Sequence, residues 1–536
     1  MIAALVETSS KAVTLSIAGV YLAATIAIGY LARKSSLTSR QFLHARGMLP
    51  TAITSISFVA ANCGALDIVG LTAASAKYGA LALHFYWIGA IPAMVFLSLF
   101  MMPVYTRSRA MTVPDFLRIR YNDATQILSA LCLAAMMSFI SGISLYAIGT
   151  VLHVFFGWSF FNVVAISSSV VLCYVLTGGL RATIYNEVMQ LALTVAGLAP
   201  LVYFVLHDFH GLHGVAEDLP ATMTHIWTTM PVAGHSTAAM DVVGVVFGLG
   251  FVLSCGYWCT DFVLIQRALA ARTVEGSIRT PLFAAIVKLS FPVLVILPGM
   301  AAAVFFLHGN HSRYDQALPF LMRHYYGRAL LGLGISAILA SLMSGLAGNI
   351  NALATLWTHD LYRAHIRPNQ HDAHYLAVGR ITVAVATGIS IATAYIALRY
   401  NNLMDYLQLL FSLFNAPLFA TFLLGMFTTW ATPEAGFYGL LTGLFVSIAH
   451  NLLVHFHLLV YGSDMLADFY GAIYGCGSCA VATTIISLFT RPKLREELVG
   501  ITYLTHESKS RHISAGTWAL AGGVLAACLA LNIIFR

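Results

Sequence analysis

The small and polar residues with the clearest chemical potential lie along one apolar stretch, from Leu331 to Tyr362. They recur at roughly helical spacing, at Ser341, Ser344, Gly345, Gly348, Asn349 and Asn351. An unpaired polar group in hydrocarbon costs several kcal/mol, so this stripe must face protein, water or an ion rather than lipid. The spacing therefore predicts a helix that lines a pore or a binding site.

Charged residues inside apolar runs are a second group with chemical potential, because ions at membrane depth usually serve a function. Asp67 and Lys288 are two of them. Asp67 is suited to holding the amino group of a ligand or a proton. It is equally suited to a structural role, as the partner of Lys288 or as a helix cap. The sequence leaves these alternatives open.

The elements that carry these residues are membrane-spanning helices. Hydrophobic residues make up 59% of the 536 residues, charged residues make up 9%, and the mean hydropathy is +0.82. Apolar runs of about 20 residues, the length that spans a bilayer, occur repeatedly. The net charge of +7 is spread through loops, which indicates membrane topology rather than a nucleic-acid partner. We therefore expect an all-α polytopic membrane protein.

Fourteen candidate spans are predicted along the chain. They cover residues 12–33, 50–76, 79–105, 125–153, 157–177, 184–206, 241–266, 280–307, 329–358, 374–398, 402–430, 434–456, 464–490 and 514–535. Most of the 28 Lys and Arg residues fall in alternate loops, as the positive-inside rule requires of cytoplasmic loops. The pattern predicts a plasma membrane or bacterial inner membrane protein with both termini outside.

Three of these spans contain residues that interrupt a helix. The second contains Asn62-Cys63-Gly64-Ala65 before Asp67, and the seventh, residues 241–266, is rich in glycine. The eleventh contains Pro417, which removes a backbone donor, and it is expected to be broken or only kinked. Paired interruptions in two halves of a transporter point to a site near the midplane, because unwound segments free carbonyls and helix ends for ions.

Several motifs, in order, resemble the sodium/solute symporter family, with the sodium/galactose branch closest in pattern. They are Phe42-Leu43, Ala60-Ala61-Asn62, Gly178-Gly179-Leu180 leading to Glu187 and Gln190, Tyr257-Trp258, Ile265-Gln-Arg-Ala-Leu-Ala-Ala271, Phe283-Ala-Ala-Ile-Val-Lys288, Phe291-Pro292, Leu297-Pro298-Gly299 and Thr358-His-Asp-Leu-Tyr362. The resemblance covers roughly residues 12 to 500 and implies a LeuT-like five-plus-five inverted repeat.

The same resemblance implies a domain organisation. It comprises an extra helix and loop (1–49), a first repeat (50–206), an extracellular loop (207–240), a second repeat (241–430) and three C-terminal helices (431–536).

The family's principal sodium site, transferred to this sequence, lies between the second and ninth spans. The resemblance implies backbone carbonyl ligands at Ala60, Cys63 and Ser341, and hydroxyl ligands at the positions of Ser344 and Gly345. A hard cation such as Na⁺ requires several oxygen ligands, and Ser344 supplies one. Gly345 has no side chain, so this site has one ligand fewer than the usual pattern. Small residues there are also typical of a close helix crossing.

The resemblance implies a solute site as well. It assigns solute contacts to Asn62, Asp67, Tyr86, Ser254, Lys288 and Gln408, and a gate to Tyr257. Asp67 stands where the sugar carriers have a neutral amide. Tyr86 stands where they have a carboxylate, and Ser254 stands where they have an amide. These departures weaken a sugar assignment.

Glu187 stands where the family often has an aspartate that accompanies ion release. A carboxylate near the cytoplasmic face attracts a departing cation. The alternative is a structural salt bridge between Glu187 and Arg181, which is close in sequence, and the sequence leaves both interpretations open. Asp261 and Arg267 are expected to form a separate structural ion pair.

These patterns predict a secondary active transporter that imports a small organic solute by sodium symport through alternating access. The alternative is a proton-coupled or uncoupled carrier, because of Gly345. No phosphate-binding loop or acyl-transfer spacing is present in the sequence, so an enzyme is not expected. The expected partners are the solute, the sodium ion as coupling ion and the lipid bilayer, with no other cofactor. Neither the solute nor the oligomeric state can be read from the sequence.

Overall fold

The computed structural model describes residues 2–32, 38, 47–64, 66–108, 110–227, 230–233, 238–307, 313–400, 402–505 and 513–536. The Phe42-Leu43 match and Ala65 lie outside the described residues. Within them the secondary structure is helical, apart from an isolated β-bridge between Leu49 and Ala271. This agrees with the predicted all-α class.

The helices of the first half are as follows. They are α1 (Ile2–Ala32), α2 (Thr51–Asn62), α3 (Leu71–Tyr78), α4 (Phe85–Arg107), α5 (Val113–Arg120), α6 (Asp123–Phe156), α7 (Phe160–Asp208), α8 (Leu212–Glu217) and α9 (Ala221–Thr224). A π-helical turn, Leu66–Gly70, precedes α3, and a 3₁₀ turn, Gly79–Leu83, follows it. α7 is interrupted at Gly179, whose φ of 57° and ψ of −155° are not helical.

The second half contains the remaining helices. They are α10 (Gly244–Thr260), α11 (Phe262–Leu269), α12 (Val274–Leu307), α13 (Ala317–Tyr325), α14 (Arg328–Ile366), α15 (Asp372–Ala397), α16 (Leu403–Phe427), α17 (Pro433–His455), α18 (Asp464–Phe489) and α19 (Ala515–Ile534). Short 3₁₀ turns lie at Tyr314–Gln316 and Tyr503–Thr505.

Within the described residues, ten helices are long and apolar enough to cross a membrane, or up to twelve if each bent pair counts as one span. Leu15–Leu31 and Phe160–Leu176 are also apolar but shorter. The predicted total of fourteen spans is therefore not confirmed by this count, although the many-span architecture is.

Two of the three predicted interruptions are sharp bends. The chain turns by 55° between Thr51–Asn62 and Asp67–Leu83, and by 51° between Gly244–Thr260 and Phe262–Leu269. In the eleventh predicted span the helix continues through a π-helical segment, Phe411–Asn415. Pro417 lies in the first turn of the α-helical stretch Ala416–Phe427 and does not end the span. That span is therefore continuous rather than broken.

The serine-bearing helix α14 lies at the centre of the molecule. Its most apolar 18-residue window is 78% buried, whereas those of α18 and α19 are 28% buried. It packs along α6 and α7 and also contacts α2. A polar stripe on such a helix faces other helices rather than lipid, as the sequence predicted.

Candidate functional site

The break after α2 releases backbone carbonyl groups from helical hydrogen bonding. Cys63 leaves the helical region with ψ of 51°. The amide of Gly64, which in a continuing helix would bond to the carbonyl of Ala60, donates instead to the carbonyl of Asn62 at 2.7 Å. The carbonyl oxygen of Ala60 is therefore available to a partner outside its own helix.

Two serines of α14 contact this break. The Ser344 hydroxyl donates to the Ala60 carbonyl at 3.2 Å, and the Ser341 hydroxyl donates to the Cys63 carbonyl. All four residues are buried. Backbone and hydroxyl oxygens from two helices thus converge on one place, which is the kind of donor set that a hard cation prefers.

A close contact between two glycines explains the missing hydroxyl at position 345. A Cβ atom built on Gly345 would lie 3.3 Å from the Cα of Gly64, and one built on Gly64 would lie 3.3 Å from the Cα of Gly345. Each distance is tighter than an ordinary van der Waals contact. The absence of both side chains lets α14 approach the break closely, as small residues do at helix crossings in membranes.

A cavity with an empty volume of about 440 Å³ lies beside the break. We call it the first cavity, and it is lined by Asn62, Asp67, Leu71, Phe85, Tyr86, Ala90, Leu249, Leu253, Ser254, Tyr257, Trp258, Met404, Gln408 and Phe411. Every predicted solute-site residue except Lys288 contributes to this lining.

Three polar atoms of the first cavity's lining residues are unsatisfied. Within the described part of the chain, Asn62 Oδ1, the Tyr86 hydroxyl and Gln408 Oε1 are buried without a hydrogen-bond partner. Buried polar atoms are normally paired, and an unpaired one is costly. Hydrogen-bonding groups of a bound solute would satisfy these atoms.

Lys288 lies behind the first cavity rather than in its wall. Its side chain is 0% exposed and forms an ion pair with Asp67, whose side chain is 5% exposed. The ammonium group is also 4.8 Å from the ring centre of Phe291 and 5.4 Å from that of Tyr86. Asp67 is thus paired within the protein, which was one of the alternatives that the sequence left open.

Tyr257 separates the first cavity from a second one. Its hydroxyl accepts a hydrogen bond from Asn62 Nδ2 at 3.0 Å, and its ring stacks on Phe411 with the centres 4.9 Å apart. These three residues line both cavities. The second cavity also has an empty volume of about 440 Å³ and is lined by Ala61, Asn62, Gly64, Ile140, Ile143, Ser144, Tyr257, Asp261, Val263, Gly345, Asn349, Leu407 and Phe411.

Glu187 is not in either cavity wall but in a buried ion pair. Its Oε1 lies 2.5 Å from Nη2 of Arg267, its Oε2 accepts from Nε of Arg267 at 3.3 Å, and Ser57 also donates to it. Both charged side chains are 0% exposed. The expected partners were wrong: Glu187 pairs with Arg267 rather than Arg181, and Arg267 is therefore not the partner of Asp261.

Gly348 makes room for this pair on α14. A Cβ atom at Gly348 would lie 3.0 Å from Nη2 of Arg267. The pair joins α7 to α11, with Ser57 of α2 beside it. Sequence reasoning missed the pairing, although a buried arginine in an apolar segment signals a carboxylate partner somewhere.

Sequence reasoning also missed a second ion pair, which lies at the C-terminal end of α3, at the opposite end of the broken span from Ser57. Nζ of Lys77 lies 2.7 Å from Oδ2 of Asp405, and the Tyr78 hydroxyl donates to Oδ1 at 3.3 Å. The contact joins α3 to the start of α16. The Lys77 and Asp405 side chains are 26% and 11% exposed.

Bent spans, freed carbonyls and two cavities divided by an aromatic side chain are features of a polytopic membrane transporter. The model of the sodium:solute symporter family matches residues 42–443. The chain belongs to that family, and sodium-coupled solute import is its function.

Two relatives agree with this assignment, and a solved structure shares the fold. The chain is 28% identical to the Bos taurus sodium/mannose cotransporter SLC5A10, over 83% of this chain and 80% of that protein. It is 25% identical to the Vibrio parahaemolyticus sodium/glucose cotransporter, over 84% of this chain and 86% of that protein. The structure of a Na⁺-coupled sialic acid symporter in a substrate-bound outward-open state superposes with a TM-score of 0.78 at 18% identity, over 90% of this chain and 98% of that one. The last similarity establishes the fold alone.

Proposed function

We propose that the chain imports a small organic solute together with Na⁺ by alternating access, with the ion between α2 and α14 and the solute in the first cavity. The observation that carries the proposal is the convergence of the Ala60 and Cys63 carbonyls with Ser341 and Ser344, directly beside that cavity. The repeats are residues 50–206 and 241–430 of a LeuT-like fold with fourteen spans, and each repeat begins with a bent span.

In this proposal Na⁺ takes the carbonyl oxygens of Ala60, Cys63 and Ser341 and the hydroxyl of Ser344. Gly345 supplies no side-chain ligand, and its role is to let the two helices touch. Because the ion joins α14 to the break, it stabilises one arrangement of these elements. Asn62, which lines the solute cavity, is next to Cys63 in the chain, so ion and solute strengthen each other's binding by linkage.

The solute contacts Asn62, Asp67, Tyr86, Ser254 and Gln408, with Lys288 acting behind Asp67. Asn62 Oδ1 and Gln408 Oε1 are acceptors without partners among the described residues, so the solute should carry hydrogen-bond donors such as hydroxyl or amino groups. Because Lys288 neutralises Asp67, the cavity favours a neutral solute over a cation. Mannose and glucose, named for the relatives, fit this description as a class.

The positive-inside rule indicates which side of the membrane each end of the broken span faces. Both termini lie outside a plasma membrane or bacterial inner membrane, so Lys77 and Asp405 close the outer side. Arg267 and Glu187 then close the cytoplasmic side, and Tyr257 is the gate through which the solute leaves the first cavity.

Uptake measurements test the coupling directly. A solute should first be chosen by screening the purified protein for thermal stabilisation in NaCl and in choline chloride, since a bound ligand raises stability. We expect uptake of that solute into proteoliposomes to require an inward Na⁺ gradient. Uptake that ignores Na⁺ at all concentrations would overturn the proposal.

A proton-coupled carrier is the second candidate, and the absence of a hydroxyl at Gly345 is the observation that favours it. It predicts uptake driven by an inward proton gradient in choline chloride, and loss of that dependence in Asp67→Asn. Under the leading proposal, a pH gradient alone drives no accumulation.

Ser344→Ala should weaken Na⁺ binding. The change removes one ligand from a site that already has few, and we expect the Na⁺ concentration for half-maximal uptake to rise about tenfold, a loss of about 1.4 kcal/mol. Ser336→Ala is the matched control, because Ser336 is a buried serine of the same helix whose hydroxyl donates to the Gly332 carbonyl. An unchanged Na⁺ requirement in Ser344→Ala would contradict the assigned site.

A further inference from the structure

The second cavity contains a buried carboxylate that the ion and solute sites do not use. Asp261 lies at the bend between α10 and α11, is 2% exposed and lines this cavity. Its Oδ1 accepts a hydrogen bond from the Val263 amide at 2.6 Å, which caps α11. Among the described residues it has no Lys or Arg partner within 4.0 Å. Its negative charge is therefore not neutralised by an ion pair in this part of the chain.

Two asparagines with available amide oxygens line the same cavity. Asn62 lines the cavity, is 3% exposed and carries the unpaired Oδ1. Asn349 also lines it and uses Nδ2 to donate to the Gly345 carbonyl at 2.9 Å, which leaves its amide oxygen available. A carboxylate and two amide oxygens form a donor set for a hard cation.

The cavity is adjacent to the proposed sodium site. Gly64 and Gly345, the two glycines in contact, are in its wall, and each is next in sequence to a residue of that site, Cys63 and Ser344. The second cavity therefore borders the proposed sodium ligands on the Gly345 side. Glu187, the carboxylate expected at the ion exit, is held by Arg267, so its charge is already neutralised.

We propose that the second cavity is a transient Na⁺ site on the way out of the protein, with the Asp261 carboxylate as its charged ligand. This inference depends on the sodium coupling proposed above. Asp261 takes the role that the sequence assigned to Glu187, while Asn62 and Asn349 supply neutral oxygens. Because Asn62 also borders the first cavity and bonds to Tyr257, the departing ion acts on the residue that holds the gate.

Binding of radioactive Na⁺ to the purified protein, with choline replacing Na⁺ at constant ionic strength, tests the inference without knowledge of the solute. We expect a tighter component, weakened by Ser344→Ala, and a weaker component. Asp261→Asn should lower the affinity of the weaker component about tenfold or more and leave the tighter one nearly unchanged. Asparagine keeps an acceptor for the Val263 amide, so the cap of α11 is retained.

Two further variants separate charge from folding. Asp261→Glu keeps the charge and should retain the weaker component. Glu275→Gln removes a carboxylate that is 53% exposed and paired with Arg279, and should change neither component. A wild-type protein that binds no Na⁺ would overturn both this inference and the sodium coupling. Two results would overturn only the second site. One is Na⁺ binding by Asp261→Asn that equals that of the wild type, and the other is loss of the same binding component in both Ser344→Ala and Asp261→Asn.

Discussion

Arg267→Met is expected to destabilise the protein by about 3–5 kcal/mol and to abolish transport. The change leaves the Glu187 carboxylate fully buried, with the Ser57 hydroxyl as its remaining side-chain donor among the described contacts. An uncompensated buried charge is far more costly than the loss of a contact, because the ion has also lost its water. Thermal unfolding in detergent should therefore begin at a clearly lower temperature than in the wild type.

The double variant Glu187→Gln/Arg267→Met provides the control. It removes both charges, and we expect it to recover more than half of the lost stability, since a neutral pair has no uncompensated ion. An Arg267→Met protein with the unfolding temperature of the wild type would show that the pair does not stabilise this end of the molecule.

Lys288→Met is expected to abolish uptake and to lower stability by a similar amount, about 3–5 kcal/mol. Methionine has nearly the volume of lysine, so the packing against Phe291 and Tyr86 is retained and the loss reports on charge. Asp67 is then left without its cation beside the solute cavity. Uptake of the chosen solute and thermal unfolding measure the two effects separately.

Two further variants serve as controls for the Lys288→Met prediction. Asp67→Asn/Lys288→Met should regain stability without regaining uptake, because Asp67 also lines the solute cavity. Lys77→Met removes the more exposed member of the Lys77–Asp405 pair and leaves Asp405 with the Tyr78 hydroxyl as a donor, so it should cost less stability than Lys288→Met. Lys288→Met with normal uptake would contradict a role for this ion pair in the solute site.

The sequence predicted those parts of the site that depend on local pattern. The break near Asn62 follows from Gly64 and its neighbours, and the central position of α14 follows from a polar stripe that lipid cannot accept. The bend of the seventh span was expected from its glycines and is present at 51°. These features are encoded within a few consecutive residues, which explains why they could be predicted.

Pairings between distant segments could not be predicted in the same way. Proximity along the chain suggests Arg181 as a partner of Glu187, whereas the fold brings Arg267 to it from a separate helix. The helical pattern alone does not say which buried cation meets which carboxylate. Likewise, the missing hydroxyl at Gly345 had two interpretations, and the contact with Gly64 supports the close helix crossing.

The two ion pairs at opposite ends of the broken span differ in their access to the surrounding solution. Lys77 and Asp405 are partly exposed, whereas Glu187 and Arg267 are fully buried. Dissolved salt screens the first pair more than the second, because only the first has a charged group that the solution reaches. Ionic strength therefore acts mainly on the contact between α3 and α16. A salty medium loosens this contact more than it loosens the opposite end of the protein.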